Sequence, residues 1–256
     1  ARSMGDGELA LRAYLHWGEA CLHRLLGDFA LAIHDPRTDE LFCARDSLGM
    51  RPLLWSHVPG RIFAFASEAA ALRAHPAIPS ALNEARIGDF LAQLEGVDLV
   101  STFDAAIHRL PPGHSLAFAA GEARVQRYWQ PPVPPVLRLD SDEAYEAAFR
   151  EVLDRAVAAR LRACGPVGVL LSGGIDSGSV AALAARRLEA EGKGPLDVVS
   201  VMGPDPAACV ETRAIAAMHA LPGLAPHPVP LALDEASTDA LVAAIAAADE
   251  PFDGQM

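Results

Sequence analysis

The chain has 256 residues, of which 51% are apolar, with a formal net charge of −12 and four cysteines. That is room for one large or two ordinary domains around a real core, and it excludes a chain disordered by composition. The acidic balance speaks against a nucleic-acid partner, which needs clustered Lys and Arg, and against a membrane, since the longest apolar run, 241–248, falls far short of the roughly 18 residues that span a bilayer.

The first ten residues, "ARSMGDGELA", carry no basic-then-apolar leader. Cysteines at 21, 43, 164 and 209 show neither metal-ligand nor redox spacing, and each stands in an apolar context. They read as buried reduced thiols, which points to the cytoplasm. The chain lacks an initiator Met and runs out on "DEPFDGQM", so a fragment cut at both ends is expected.

Residues 8–26 place Leu11, Tyr14, Leu15, Cys21, Leu22 and Leu25 at helical spacing. Short apolar or alternating runs follow at 29–35, 40–46, 53–58 and 62–67, separated by "DPRTD", "DSLGMRP" and "VPGR". That pattern predicts a helix followed by antiparallel hairpins. Two short helices are expected at 68–76, ended before Pro76, and at 83–94. A hairpin is expected at 110–129, with "AAGE" as its turn.

Residues 130–140, "QPPVPPVLRLD", hold four prolines and read as a stiff extended linker. Beyond it the pattern changes. Asp140 and Glu143 make a capping pair for a helix through about residue 163, with Ala144, Phe149, Val152, Val157 and Leu161 on its inner face. Strand 166–171, helix 177–191, strand 196–202, helix 209–221, strand 227–233 and a Ser/Thr-capped helix 237–249 complete the chain. Strands alternating with helices give a parallel, doubly wound sheet.

Between the strand at 166–171 and its helix stands "LSGGIDSGS" (171–179). In open parallel sheets, ligands bind beyond the carboxyl ends of the strands, where helix amides lack partners and favour an anion. Gly173 and Gly174 let backbone approach that anion, and Ser172 and Ser177 add hydroxyl donors. Asp176 would repel a phosphate unless Mg²⁺ bridges the two, so the stretch fits a Mg-nucleotide with Asp176 on the metal. It is neither the Walker nor the dinucleotide pattern, having no G-K-[ST] and no third glycine at the dinucleotide spacing.

Ser-Gly-Gly-x-Asp-Ser resembles the pyrophosphate loop of the ATP pyrophosphatases, which cleave ATP between the α and β phosphates. Upstream, "GDFALAIHDPRTDELFCARDSLGMRPLLW", "FASEAAALRAHPAIP", "HRLPPGHSLAF" and "RYW" resemble the glutamine-amidotransferase half of asparagine synthetases and their relatives. The resemblance implies a glutamine amidotransferase-like domain at 1–129, a partial αββα sandwich of the N-terminal-nucleophile type. A Pro-rich linker at 130–141 would lead to an ATP-pyrophosphatase synthetase domain at 142–256, a doubly wound α/β fold of the adenine-nucleotide α-hydrolase type.

The same resemblance implies roles. Asp6 would hold the amino group of glutamine. Leu170 and Val201, with Met202 and Gly203 adjacent, would wall the adenine of ATP, and Ser172, Gly173, Gly174, Asp176 and Ser177 would cradle its pyrophosphate. Glu250 and Asp253 match acids near the acceptor cleft, though a solvated helix end describes them equally well. Arg45–Asp46 reads as a structural ion pair. The family's nucleophilic Cys is the first residue of the mature chain, and Ala1 stands first here. Either that residue lies outside a fragment or glutaminase activity is lost, and the family's acid–lysine pair lies past residue 256. The implied reaction is ATP- and Mg²⁺-dependent activation of a small-molecule or peptide carboxylate as its acyl-adenylate, then attack by ammonia from glutamine, as in asparagine synthase. Alternatives are closure of an amide within the substrate, as in lasso-peptide macrolactam or β-lactam synthetases, and a non-catalytic homologue. A homodimer is also compatible with the family.

Overall fold

The computed structural model describes residues 5–94, 98–203, 205, 209–231 and 235–250. The protein is a mixed α/β chain in two compact units: one of residues 1–134 with 245–256, the other of residues 135–244.

The first unit opens with α1 (Asp6–Trp17), which passes into a 3₁₀ turn, Gly18–His23. Gly18 breaks the predicted single helix by leaving the helical region, with φ +58°. Then come β1 (Ala30–Asp35), β2 (Glu40–Arg45), β3 (Leu54–Val58) and β4 (Ile62–Ala66). Helices α2 (Ala69–Arg73) and α3 (Glu84–Leu91) follow, the latter capped by Asn83, whose side chain accepts from the Arg86 amide. Strands β5 (His108–Arg109), β6 (His114–Ala119) and β7 (Glu122–Arg127) complete it. The strands form two antiparallel sheets, ordered β1-β2-β6-β7 and β4-β3-β5.

Strand alternation sorts the side chains into layers. Phe42 and Ala44 of β2 pack on Ala13, Cys21 and Leu22. Their neighbours Leu41 and Cys43 face the other way and join Leu116, Phe118, Trp55 and Phe63 between the sheets. There Phe63 and Phe118 stack at 4.2 Å, and Trp55 lies parallel to Phe63 within 23°. On the far side of β3 and β4, Leu54, Ile62 and Ala64 pack on Ala69 and Leu72 of α2. The order is therefore helix, sheet, sheet, helix.

The second unit starts with α4 (Asp142–Arg160). Its cap is Ser141, whose hydroxyl accepts from the Ala144 amide at 3.3 Å, so the predicted Asp140–Glu143 pair is off by one residue. Its buried row is Val157 and Leu161, with Leu153 partly buried, while Phe149 and Val152 of the expected inner face are exposed. Strands β8 (Gly168–Leu170), β9 (Leu196–Met202) and β10 (Leu224–Pro230) pair in parallel in the order β10-β9-β8. Helices α5 (Ile175–Ala190) and α6 (Val210–His219) make the crossovers. Helix α7 (Glu235–Ala247) begins ahead of the Ser/Thr pair expected to cap it. The core lies on one face of the sheet: Leu196 and Val198 against Ala181, Ala184, Ala185, Leu188, Val157 and Leu161. The opposite face presents Leu170, Val201 and Val229 to solvent.

Among the described residues no helix is long and apolar enough to cross a membrane. All four cysteines are free. Cys21 and Cys43 are buried as expected, but Cys164 is exposed beyond the end of α4 and Cys209 is half-buried at the start of α6. Apolar neighbours in sequence do not bury a thiol that stands at a helix end.

Candidate functional site

Strand β8 ends at Leu170, and the Leu171 amide still bonds the Val199 carbonyl at 2.8 Å. The chain then has three residues in which to turn into α5. Gly173 makes the turn with φ +80°, a region that a side chain rarely tolerates. A Cβ placed there would lie 2.9 Å from the Glu211 carbonyl oxygen and 3.2 Å from Ala214 Cβ. Gly174 is the N-cap, in extended geometry and without a side-chain cap bond. The first helical bond runs from the Gly178 amide to the Gly174 carbonyl, at 3.0 Å.

Helix α5 thus starts at Ile175, two residues before the expected 177. That places Asp176 and Ser177 in its first turn, ahead of the first helical amide bond, where backbone N–H groups have no intrahelical acceptor. Ser172, Gly174, Ile175 and Asp176 are exposed. The two serines meet across the turn: Ser172 Oγ lies 3.0 Å from Ser177 Oγ, and the Ser172 amide donates to Ser177 Oγ at 3.3 Å. Ser177 Oγ also reaches the Gly174 carbonyl at 3.3 Å. Loop and helix start are thereby held in one shape.

Leu170 and Val201 project from the uncovered face of the sheet, 77% and 59% exposed. Leu170 pairs with Val199 in register, so Val201 stands one step further along the neighbouring strand on the same face. Met202 is half-buried, and its carbonyl accepts from the Leu231 amide at 2.7 Å. The carboxyl ends of β8 and β9 therefore bring together Leu170, Ser172, Gly173, Gly174, Asp176, Ser177, Val201 and Met202. The more enclosed hollows of this unit lie elsewhere. One of about 370 Å³ sits at the amino ends of the strands, lined by Cys164, Pro166, Lys193, Pro195 and Asp197. Another of about 250 Å³ sits between α4, α5 and β8. Neither includes a residue of the 172–177 turn.

The other candidates belong to the first unit or lie outside the described residues. Asp6 is the first residue of α1, exposed, one of two acids in that helix's first turn. Glu250 belongs to the first unit, where it pairs with Arg109. Its neighbour Asp249 accepts from the Ala70 amide at 2.7 Å, from the Ala69 amide, and from Arg73. Asp253 lies outside the described residues. Arg45 and Asp46 do not pair with each other. Arg45 donates to the carbonyls of Arg51, Leu110 and Gly49, and Asp46 accepts from the amides of Leu48, Met50 and Arg51.

Sequence reasoning missed the role of α6 at this site. The turn at Gly173 rests on Glu211, Ala214 and Ile215, and the Gly203 amide donates to Thr212 Oγ1 at 3.0 Å. The available signal was the strand–helix unit β9–α6 that follows α5 in a parallel sheet, which puts the next helix beside the turn.

Among known proteins, residues 1–129 match the glutamine amidotransferase domain family and residues 148–256 match asparagine synthase. An asparagine synthetase (glutamine-hydrolyzing) 3 of Bacillus subtilis is 33% identical over 77% of the chain and 31% of its own length. A putative asparagine synthetase (glutamine-hydrolyzing) of Mycobacterium bovis is 37% identical over 71% of the chain and 28% of its own length. An amidase, chyE, of Penicillium rubens is 33% identical over 70% of the chain and 26% of its own length. The chain thus spans less than a third of these relatives. With a glutamine amidotransferase match followed by an asparagine synthase match, the chain belongs to the asparagine synthetase (glutamine-hydrolysing) family.

Proposed function

We propose that the protein is a carbon–nitrogen ligase that activates a carboxylate with ATP and forms an amide with glutamine-derived nitrogen, the asparagine synthase reaction in its simplest form. The observation that carries this reading is the 172–177 turn: helix-start amides without an intrahelical acceptor, two hydroxyls and one carboxylate at the carboxyl end of a parallel strand. The assignment of residues 1–129 to an amidotransferase-like domain of N-terminal-nucleophile type, 130–141 to a linker and 142–256 to an ATP-pyrophosphatase domain belongs to the same proposal. So does a cytoplasmic location, which suits four free thiols.

In this reading the amides of Ile175, Asp176 and Ser177 face the β and γ phosphates, where the helix dipole adds attraction. A phosphate oxygen would accept a hydrogen bond from the Ser172 hydroxyl in place of its contact with Ser177 Oγ. Leu170 and Val201 offer an apolar strip for the adenine, with Met202 contributing backbone at the end of β9. A carboxylate oxygen of an aspartate-like substrate attacks the α-phosphorus, and the bond from that phosphorus to the bridging oxygen breaks. Pyrophosphate leaves with its charge held by the amide-lined turn. Ammonia then attacks the activated carbonyl and AMP departs. Asp6 is the candidate for holding the amino group of glutamine.

Mg²⁺ would enter with ATP. Among the described residues no group of three or more ligating side chains is present, and Asp176 offers a single exposed carboxylate. That donor set suits an ion completed by phosphate oxygens and water. When bound, it would offset the charge between Asp176 and the phosphates.

Exchange of labelled pyrophosphate into ATP, driven by aspartate or another carboxylic acid, is the direct test. Acid-dependent exchange is expected. Its absence with every amino-acid carboxylate tried, in protein that still binds ATP, would remove the adenylation step.

A further inference from the structure

Helix α6 contacts the glycine turn and the end of β9 along two of its sides. Glu211, Ala214, Ile215 and Met218 lie at the i, i+3, i+4 and i+7 positions of one stripe. They meet two glycines of the neighbouring turn and helix. A Cβ on Gly173 would lie within 2.9–3.2 Å of Glu211, Ile215 and Ala214, and one on Gly178 would lie 2.7 Å from Met218 Cε. The adjacent side carries Thr212 and, seven residues on, His219. These two hold β9. Thr212 Oγ1 accepts from the Gly203 amide at 3.0 Å, and His219 Nε2 lies 3.0 Å from the buried Ser200 hydroxyl.

Thr212 is 1% exposed and sits in the first turn of α6, where its own amide donates to the Cys209 thiol at 3.5 Å. Gly203 is the first residue past β9, beyond the last strand pair Met202–Pro230. The Thr212 hydroxyl therefore supplies an acceptor where the sheet no longer does. Deleting it would leave the Gly203 amide facing carbon and free the chain that follows Val201 and Met202. The glycine turn rests on different atoms, the backbone and aliphatic groups at 211, 214 and 215.

We infer that Thr212 is a positioning residue for the adenine end of the nucleotide: through Gly203 it fixes the end of β9, and so controls affinity for the base while leaving affinity for the phosphates unchanged. This rests on the nucleotide reading above. The test compares Mg²⁺-ATP with Mg²⁺-tripolyphosphate binding to the intact protein by calorimetry. In Thr212→Val, ATP should bind about tenfold more weakly, about 1.4 kcal/mol, with tripolyphosphate unchanged within about twofold. Thr212→Ser should restore ATP binding, and Thr212→Ala should repeat the base-selective loss should the valine fold poorly. An equal loss of both ligands, or unaltered ATP binding in the valine and alanine variants, overturns the inference while the nucleotide reading stands. Wild-type protein that binds neither ligand overturns both.

Discussion

Two polar turns, "DSLGMRP" at 46–52 and "SGGIDS" at 172–177, have nearly the same ingredients: an acid, serine, glycine, and a strand in front. The first is closed upon itself. Asp46 is 2% exposed and takes three amides of its own turn, while Arg45 ties three carbonyls, one of them Leu110 from a distant segment. Tyr128 completes the knot by donating to the Arg45 carbonyl at 2.7 Å. The second turn is open. Its acid is exposed, its first helical amides have no side-chain cap, and among the described residues its serines bond each other and the loop backbone. An acid in a turn is structural when its carboxylate curls onto the turn's amides. It can serve a ligand when the amides and the carboxylate both point outward.

The sharpest way to break this contrast is Asp46→Ala. It strands three amides in a buried place, and the first unit should lose about 3 kcal/mol, read from urea unfolding by circular dichroism. The acid limb of stability carries the same signature. Burial pushes the Asp46 carboxyl up, but the amides of Arg51, Met50 and Leu48 outweigh it and hold the pKa below its ordinary value. A depressed carboxyl stabilises the fold above the unfolded-state value of about 4, and that contribution fades as pH falls through the folded value. Asp46→Asn should flatten this part of the pH profile. An unchanged profile would mean the turn is not held by charge.

Gly173→Ala comes next. It forces a side chain into φ +80° and toward the Glu211 carbonyl. The second unit should lose about 2 kcal/mol, and ATP affinity should drop about 100-fold because the amides no longer converge. Wild-type affinity in this variant would show that the turn does not hold phosphates. Asp176→Asn should act more mildly: about tenfold weaker Mg²⁺-ATP binding with stability unchanged within about 0.5 kcal/mol. The smallest effect is chemical. Cys164 and Cys209 of the second unit should react with an aromatic disulfide in native protein. Cys209 is helped by bonding to Thr212, which lowers its pKa. Cys21 and Cys43 should react only on unfolding, since both are buried and burial pushes Cys43 up to about 12. Rapid labelling of Cys43 in folded protein would contradict the packing between the sheets.

Much of this was legible from residues alone. Apolar runs gave β1 to β4 and β9 within a residue or two, and the turn "AAGE" separates β6 from β7 as expected. Strand β5 has two residues and exists only because Trp55 and Leu54 pair with His108 and Arg109, which no local pattern announces. Helix α4 shows a different limit. Phe149 and Val152 fit its periodic face, but among the described residues no element covers that half of the helix, so periodicity could not say which end is buried. At the candidate site, the glycines, serines and Asp176 could be picked out because backbone approach and helix-end chemistry restrict residue type. Thr212 could not, since its role arises from a tertiary bond to Gly203.

The stacked layer between the two sheets has one more outcome. Trp55 lies there, and Trp17 and Trp129, the remaining tryptophans, also belong to the first unit, whereas Tyr145 is the sole tyrosine of the second and neither Tyr14 nor Tyr128 lies in it. Indole emission is therefore a built-in optical label for one half of the molecule. A single tryptophan introduced at Tyr145, in a background where the native three are phenylalanine, would make the other half visible alone.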